Sequence, residues 1–244
     1  YEILRCLVGS EMCIRDSYTK AKIDKDKYGL KPVYDGRLLI KVLNLSVWSM
    51  LHAFISVAPW FLFFVAIEHL GKTELAISNI TRSVSAIFFV IANSFAVTTG
   101  SLVSNVIGAG ARNELFPICH KVLKLGYAVG IPFVVVALLC NRWIVSFYTD
   151  NELLIELAFA PFVVMILNYT FALPGYVYLN AVGGTGKNKI TFLFQVTTTC
   201  VYLVYLYWLS FCIKASLSLY LTAEYLFVIL LALQSIIYLK SKHY

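Results

Sequence analysis

Leu75-Ala-Ile-Ser-Asn-Ile-Thr-Arg-Ser-Val-Ser-Ala-Ile-Phe-Phe-Val-Ile-Ala-Asn-Ser-Phe-Ala-Val-Thr-Thr-Gly-Ser-Leu-Val-Ser-Asn-Val-Ile-Gly108 is a 34-residue apolar run with a single charge, Arg82. As one straight helix it would reach about 51 Å at 1.5 Å per residue, which exceeds the ~30 Å hydrocarbon core of a bilayer. It must tilt, bend or protrude. At helical spacing Arg82, Ala86, Phe89, Asn93, Ala96, Gly100 and Ser104 fall on one stripe. Val84, Ile87, Phe88, Ile91, Phe95, Leu102 and Val106 fall on the opposite one, which suits lipid. Polar side chains at membrane depth are expensive and turn towards a bundle interior or a water-filled cavity. Two readings of the small, polar stripe stay open: a pathway-lining face, or a tight helix contact with Asn93 bonded across it.

Five further apolar runs flank this one, and the first, Val47 to Ile67, is 21 residues without a charge. The expected spans are residues 47–67, 77–106, 122–142, 153–182, 190–213 and 217–239, an all-α membrane protein with six transmembrane helices. Composition agrees: of 244 residues 60% are hydrophobic and 14% charged, against about 25% charged in soluble domains. Mean hydropathy is +0.78. The net charge of +7 does not mark a nucleic-acid binder, because its Lys and Arg lie between apolar runs rather than on one solvated face. Instead they alternate. The segment Tyr18–Lys41, the even connections and the tail hold 14 Lys and Arg, whereas the odd connections hold only Lys72, Arg142 and Lys214. Positive residues resist translocation, so both ends are expected in the cytoplasm, with the chain integral to a bacterial-type inner membrane.

The chain starts at Tyr1 without a methionine, and residues 1–17 form neither a cleavable signal nor a span. Cys6-Leu-Val-Gly-Ser-Glu-Met-Cys-Ile-Arg-Asp-Ser17 resembles translated sequencing adapter and is read as a non-native leader. Residues 18–46 read as a cytoplasmic loop or lead-in helix, and 47–244 as the six-span lobe. Chemistry-bearing motifs are few. The six cysteines show no C-x-x-C spacing and read as buried, reduced thiols, and His52 and His69 have no clustered ligands, so no metal or other cofactor is expected. No nucleophile lies beside a base, which argues against an enzyme. Ala181-Val-Gly-Gly-Thr-Gly-Lys-Asn188 lacks the first Gly and the final Ser or Thr of a phosphate loop and reads as a helix end and turn.

Candidate pathway residues are therefore the intramembrane polar groups Asn79, Arg82, Asn93, Asn168, Asn180 and Gln195. Arg82 and Glu224 sit at similar depth from the outer ends of their helices, so they either pair or each snorkel to the interface. Pro132, Pro161 and Pro174-Gly175 are expected helix breaks, the last beside Asn168 and Ala172 on one face. A broken helix carrying a polar residue near mid-membrane is how secondary transporters build binding sites, although helix packing also explains it.

Several segments, in order, resemble the multidrug and toxic compound extrusion (MATE) family. They are Lys27-Tyr-Gly-Leu-Lys-Pro-Val-Tyr-Asp-Gly-Arg37, Trp60-Phe-Leu-Phe-Phe64, Glu68-His-Leu-Gly-Lys-Thr-Glu-Leu-Ala76, Ser78-Asn-Ile-Thr-Arg-Ser83 and Leu102-Val-Ser-Asn-Val-Ile-Gly-Ala-Gly110. Phe147-Tyr-Thr-Asp150 and Asn180-Ala-Val-Gly-Gly-Thr-Gly186 continue the series. The resemblance implies half of a twelve-helix transporter, its C-terminal lobe, with an N-terminal six-helix lobe as partner. It further implies antiport of small amphipathic or cationic molecules coupled to Na⁺ or H⁺. Sodium-coupled members carry a Glu and an Asp where this chain has Ser56 and Ala172, so no identifiable site for the coupling ion is expected in this half. A lipid-linked oligosaccharide flippase of the same superfamily would need several buried cations, of which only Arg82 qualifies. A non-transporting membrane scaffold would have uniformly apolar spans.

Overall fold

The computed structural model describes residues 35–68, 70–210 and 216–241. The leader, residues 18–34, His69 and the expected end of the fifth span at 211–213 lie outside the described residues. All of the described helical structure except the opening turns of the first helix falls in one compact unit that starts at Leu45.

Among the described residues eight α-helices run in order: α1 (Gly36–Glu68), α2 (Lys72–Gly108), α3 (Leu115–Leu139), the short α4 (Asn141–Ser146), α5 (Glu152–Leu167), α6 (Tyr169–Gly184), α7 (Asn188–Trp208) and α8 (Leu217–Lys240). Six stretches are long and apolar enough to cross a membrane, with α5 and α6 forming one of them. The polarity of the molecule is inverted relative to a soluble domain. Phe54 and Leu139 are 78% and 80% exposed, whereas Thr81, Arg82, Asn168, Gln195, Thr198 and Glu224 are buried. An apolar exterior around polar contacts is what lipid as solvent selects.

α2 packs along α6 and also meets α3 and α5, while α8 packs on α5, α6 and α7. The close approaches rest on glycines. A Cβ at Gly184 would lie 2.5 Å from the Gly100 carbonyl oxygen, and one at Gly175 would lie 2.7 Å from that of Val228. A Cβ at Gly130 would collide with the Tyr169 ring, whose hydroxyl donates to the Gly126 carbonyl at 2.8 Å. Small residues let helix backbones meet where no solvent drives them together. The Gly183-Gly-Thr-Gly186 stretch ends α6 and turns at Gly186 with φ 79°, as expected of a helix stop rather than a nucleotide loop.

Several expectations are corrected. The buried seam of α2 runs through Ile77, Thr81, Ser85, Phe88, Ala92, Ala96, Thr99 and Val103, so Val84 and Phe88 are inside rather than against lipid. Hydrophobic pattern alone cannot orient a helix in which both stripes carry apolar residues. The third span ends at Leu139, with α4 beginning at Asn141. Helical structure runs unbroken through Pro132, Pro161 and Pro174-Gly175, and the interruption falls at Asn168. Pro174 frees the carbonyl of Thr170, four residues before it, and Tyr127 Oη donates to that oxygen at 2.7 Å. Pro59, inside α1, is a further helical proline that the sequence reading did not single out. Of the cysteines, Cys119 is buried but Cys200 is exposed.

Candidate functional site: a polar cavity beside a buried ion pair

Arg82 lies about ten residues, ~15 Å, into α2, because that helix starts at Lys72. Glu224 lies about seven residues into α8, which starts at Leu217. Neither snorkels. Arg82 Nη2 donates to Glu224 Oε1 at 2.6 Å, with the arginine side chain 3% and the carboxylate 10% exposed. Tyr202 Oη donates to the same oxygen at 3.3 Å. α1 supplies the rest of the arginine's surroundings: the guanidinium carbon stands 4.0 Å from the Phe63 ring centre, 4.7 Å from Trp60 and 5.2 Å from Phe64. Arg82 Nε and Nη1 have no hydrogen-bond partner among the described residues, so ring faces take the place of acceptors. Trp60, Phe63 and Phe64 recur at i, i+3 and i+4, a pattern legible in the sequence as one aromatic helix face.

A cavity of about 440 Å³ opens beside this pair. α1 contributes His52, Ser56 and Trp60, α2 contributes Phe89 and Asn93, α6 contributes Tyr176 and Asn180, α7 contributes Gln195, and α8 contributes Glu224 and Phe227. Four of the six residues singled out for a pathway thus converge on this region: Asn93, Asn180 and Gln195 on the wall, and Arg82 behind it through Glu224. Asn168 is one step removed. It is buried, its Oδ1 has no partner among the described residues, and it lines a small recess with Tyr169, Ala172, Tyr176 and Glu224. Asn79 does not join them, being exposed near the start of α2. His52, Leu179 and Asn180 also border a wider groove of about 850 Å³ at the Gly100 and Gly184 end of the bundle. The sequence reading missed His52, Tyr176 and Tyr202, which only the packing brings to the site.

Ser56 lies on the cavity wall and Ala172 in the recess. Glu224 is the one acidic residue, and His52 the one basic residue, among the described residues on these two walls. Among those residues no group of three His, Cys, Asp or Glu side chains could hold a metal ion.

A six-span bundle with a polar cavity walled by five of its helices defines a polytopic integral membrane protein built around an internal solute-sized chamber. The family whose model matches residues 49–209 is MatE, and the chain belongs to it, a family of transporters rather than enzymes. No curated protein sequence matches the chain. Among solved structures, it is similar to a MATE protein in the bent conformation, with TM-score 0.71, 16% identity, and coverage of 81% of this chain and 44% of that one. It is also similar to a multidrug resistance MATE family transporter of the MOP superfamily in the outward-facing conformation, with TM-score 0.72, 17% identity, and coverage of 82% and 45%. A MOP superfamily transporter from Pyrococcus furiosus aligns with TM-score 0.67, 16% identity, and coverage of 80% and 43%. The chain spans less than half the length of these structures. The fold is that of half a MATE transporter.

Proposed function

We propose that the chain is the C-terminal lobe of a cation-coupled secondary antiporter that exports small amphipathic or cationic compounds by alternating access. The observation that carries this is the cavity of about 440 Å³, solute-sized and lined by aromatic and amide side chains at intramembrane positions. An N-terminal six-helix lobe is its partner, and the lipid bilayer its surroundings. The alternation of Lys and Arg along the connections supports both ends in the cytoplasm of a bacterial-type inner membrane, so the groove bordered by Gly100 and Gly184 faces inward. Ser56 and Ala172 hold no charge at the positions of the resemblance, which is consistent with Na⁺ or H⁺ binding in the partner lobe. The flippase reading loses support, because Arg82, the buried cation beside the cavity, is matched by Glu224 rather than offered to a pyrophosphate.

Reconstituted alone in liposomes, the chain is expected to give no sodium- or proton-driven efflux of an amphipathic dye, whereas joined to an upstream six-helix lobe it drives efflux. Gradient-driven transport by the monomeric chain alone would overturn the two-lobe reading. Topology is checked separately by cysteines introduced at Lys72 and Ser216, which should react with an impermeant thiol reagent in whole cells. Reaction at Lys187 instead reverses the orientation.

A further inference from the structure

The transporter reading leaves the charge of the solute open, and the cavity wall decides it. Among the described residues Glu224 is the one acidic side chain on that wall, and both Arg82 Nη2 and Tyr202 Oη donate to its Oε1. The pair is therefore neutral as a unit. A cationic solute would place a second positive charge on a carboxylate already matched, in a low-dielectric site where an unpaired charge is costly. Ring faces could compensate, since aromatic cages hold quaternary ammonium groups. Of the rings on the wall, Trp60 already stacks on Arg82, and Phe89 stands edge-on to Trp60 and to Tyr176. Protonation of His52 would add a further positive charge to the wall.

Neutral hydrogen bonding is abundant by contrast. Asn93 is exposed to the cavity, and Asn180 uses its Nδ2 to donate to the Tyr176 carbonyl at 3.0 Å, which leaves its side-chain oxygen as an acceptor. His52 Nε2 has no partner among the described residues, and Gln195 brings both donor and acceptor. Phe89, Tyr176 and Phe227 supply apolar surface between these groups.

We infer that this lobe's cavity selects uncharged, flat aromatic solutes bearing an amide or carbonyl group, and discriminates against cations of the same shape. The inference rests on the cavity being the solute pathway. It is tested with two probes that differ in charge alone, 4-tert-butylbenzanilide and its 4-trimethylammonium isostere. Binding to the full chain in lipid nanodiscs is measured by equilibrium dialysis, with empty nanodiscs subtracted. The neutral probe is expected to bind at least tenfold more tightly, and Asn93→Leu and Gln195→Leu are each expected to weaken it several-fold. Equal or tighter binding of the cation, weakened by the same substitutions, overturns the charge preference and leaves the pathway reading standing. No binding of either probe above empty discs, or binding indifferent to both substitutions, overturns the cavity as a solute site and the inference with it.

The cause is tested by freeing the carboxylate. Arg82→Gln is expected to shift the preference at least tenfold towards the cation. Should that protein not fold, the double variant Arg82→Met with Glu224→Gln keeps the wall neutral and must retain the neutral preference. A shift of the double variant towards the cation overturns the proposal.

Discussion

The first and middle thirds of α2 use polar side chains in opposite ways. Around Arg82 the charge is matched by Glu224, stacked on three aromatic rings and 3% exposed. Three turns along, Asn93 is exposed, faces the cavity and makes no hydrogen bond to a described residue. Polarity inside a membrane bundle thus serves two ends. Charge matched by charge links α2 to α8, with rings of α1 and a hydroxyl of α7 around it, and neutral polarity left open to the cavity is available to a solute. A consequence is that the two kinds of residue respond differently to substitution.

The largest effect is expected at the pair. Replacing Arg82 or Glu224 singly by Ala strands a buried charge and should cost about 3–5 kcal/mol, read as a lowered midpoint of thermal unfolding in detergent. Replacing both with apolar residues of similar volume should recover most of it. Single variants as stable as the parent would break the comparison, because the pair would then be no more structural than Asn93.

Packing at the glycines comes next. Leu at Gly175 would push against the Val228 carbonyl and Leu at Gly184 against that of Gly100, neither of which is the end of a flexible side chain. A loss of about 1–3 kcal/mol is expected for each. An unchanged midpoint would show that α2, α6 and α8 are not held at glycine distance.

Tyr127→Phe should cost less, about 0.6 kcal/mol, the average for a membrane hydrogen bond. It removes the donor to the Thr170 carbonyl that Pro174 frees. A markedly larger loss, together with altered cavity binding, would show that the contact between Tyr127 and the Thr170 carbonyl shapes the site as well as the bundle.

The smallest change in stability belongs to Asn93→Leu. Its unfolding free energy should stay within about 0.5 kcal/mol of the parent, as for substitutions away from packed features, while solute binding falls. If stability drops and binding persists, Asn93 bonds a helix after all, and the contrast between the two parts of α2 disappears.

The number of spans was decided by the sequence, because ~30 Å of hydrocarbon demands about 20 apolar residues and six such runs are separated by charged connections. The interior polar groups were legible in part, because a cost that depends on residue type can be read without coordinates. Arg82, Asn168, Gln195 and Glu224 are buried, whereas Asn79, chosen by the same rule, is exposed. Which of them touch could not be read. Arg82 and Glu224 are 142 positions apart, and pairing or snorkelling cost about the same on paper until tertiary packing puts both deep in the bundle. The rotation of α2 that buries Val84 and Phe88 was likewise hidden, since an apolar side chain is tolerated against lipid and inside the bundle alike. So was the place of the helix interruption. A proline states only that a carbonyl has lost its partner, and whether the helix breaks there depends on a neighbour such as Tyr127 reaching that oxygen. Sequence by itself fixes the cost of each side chain in lipid, whereas the partner that offsets the cost is a property of the folded neighbourhood.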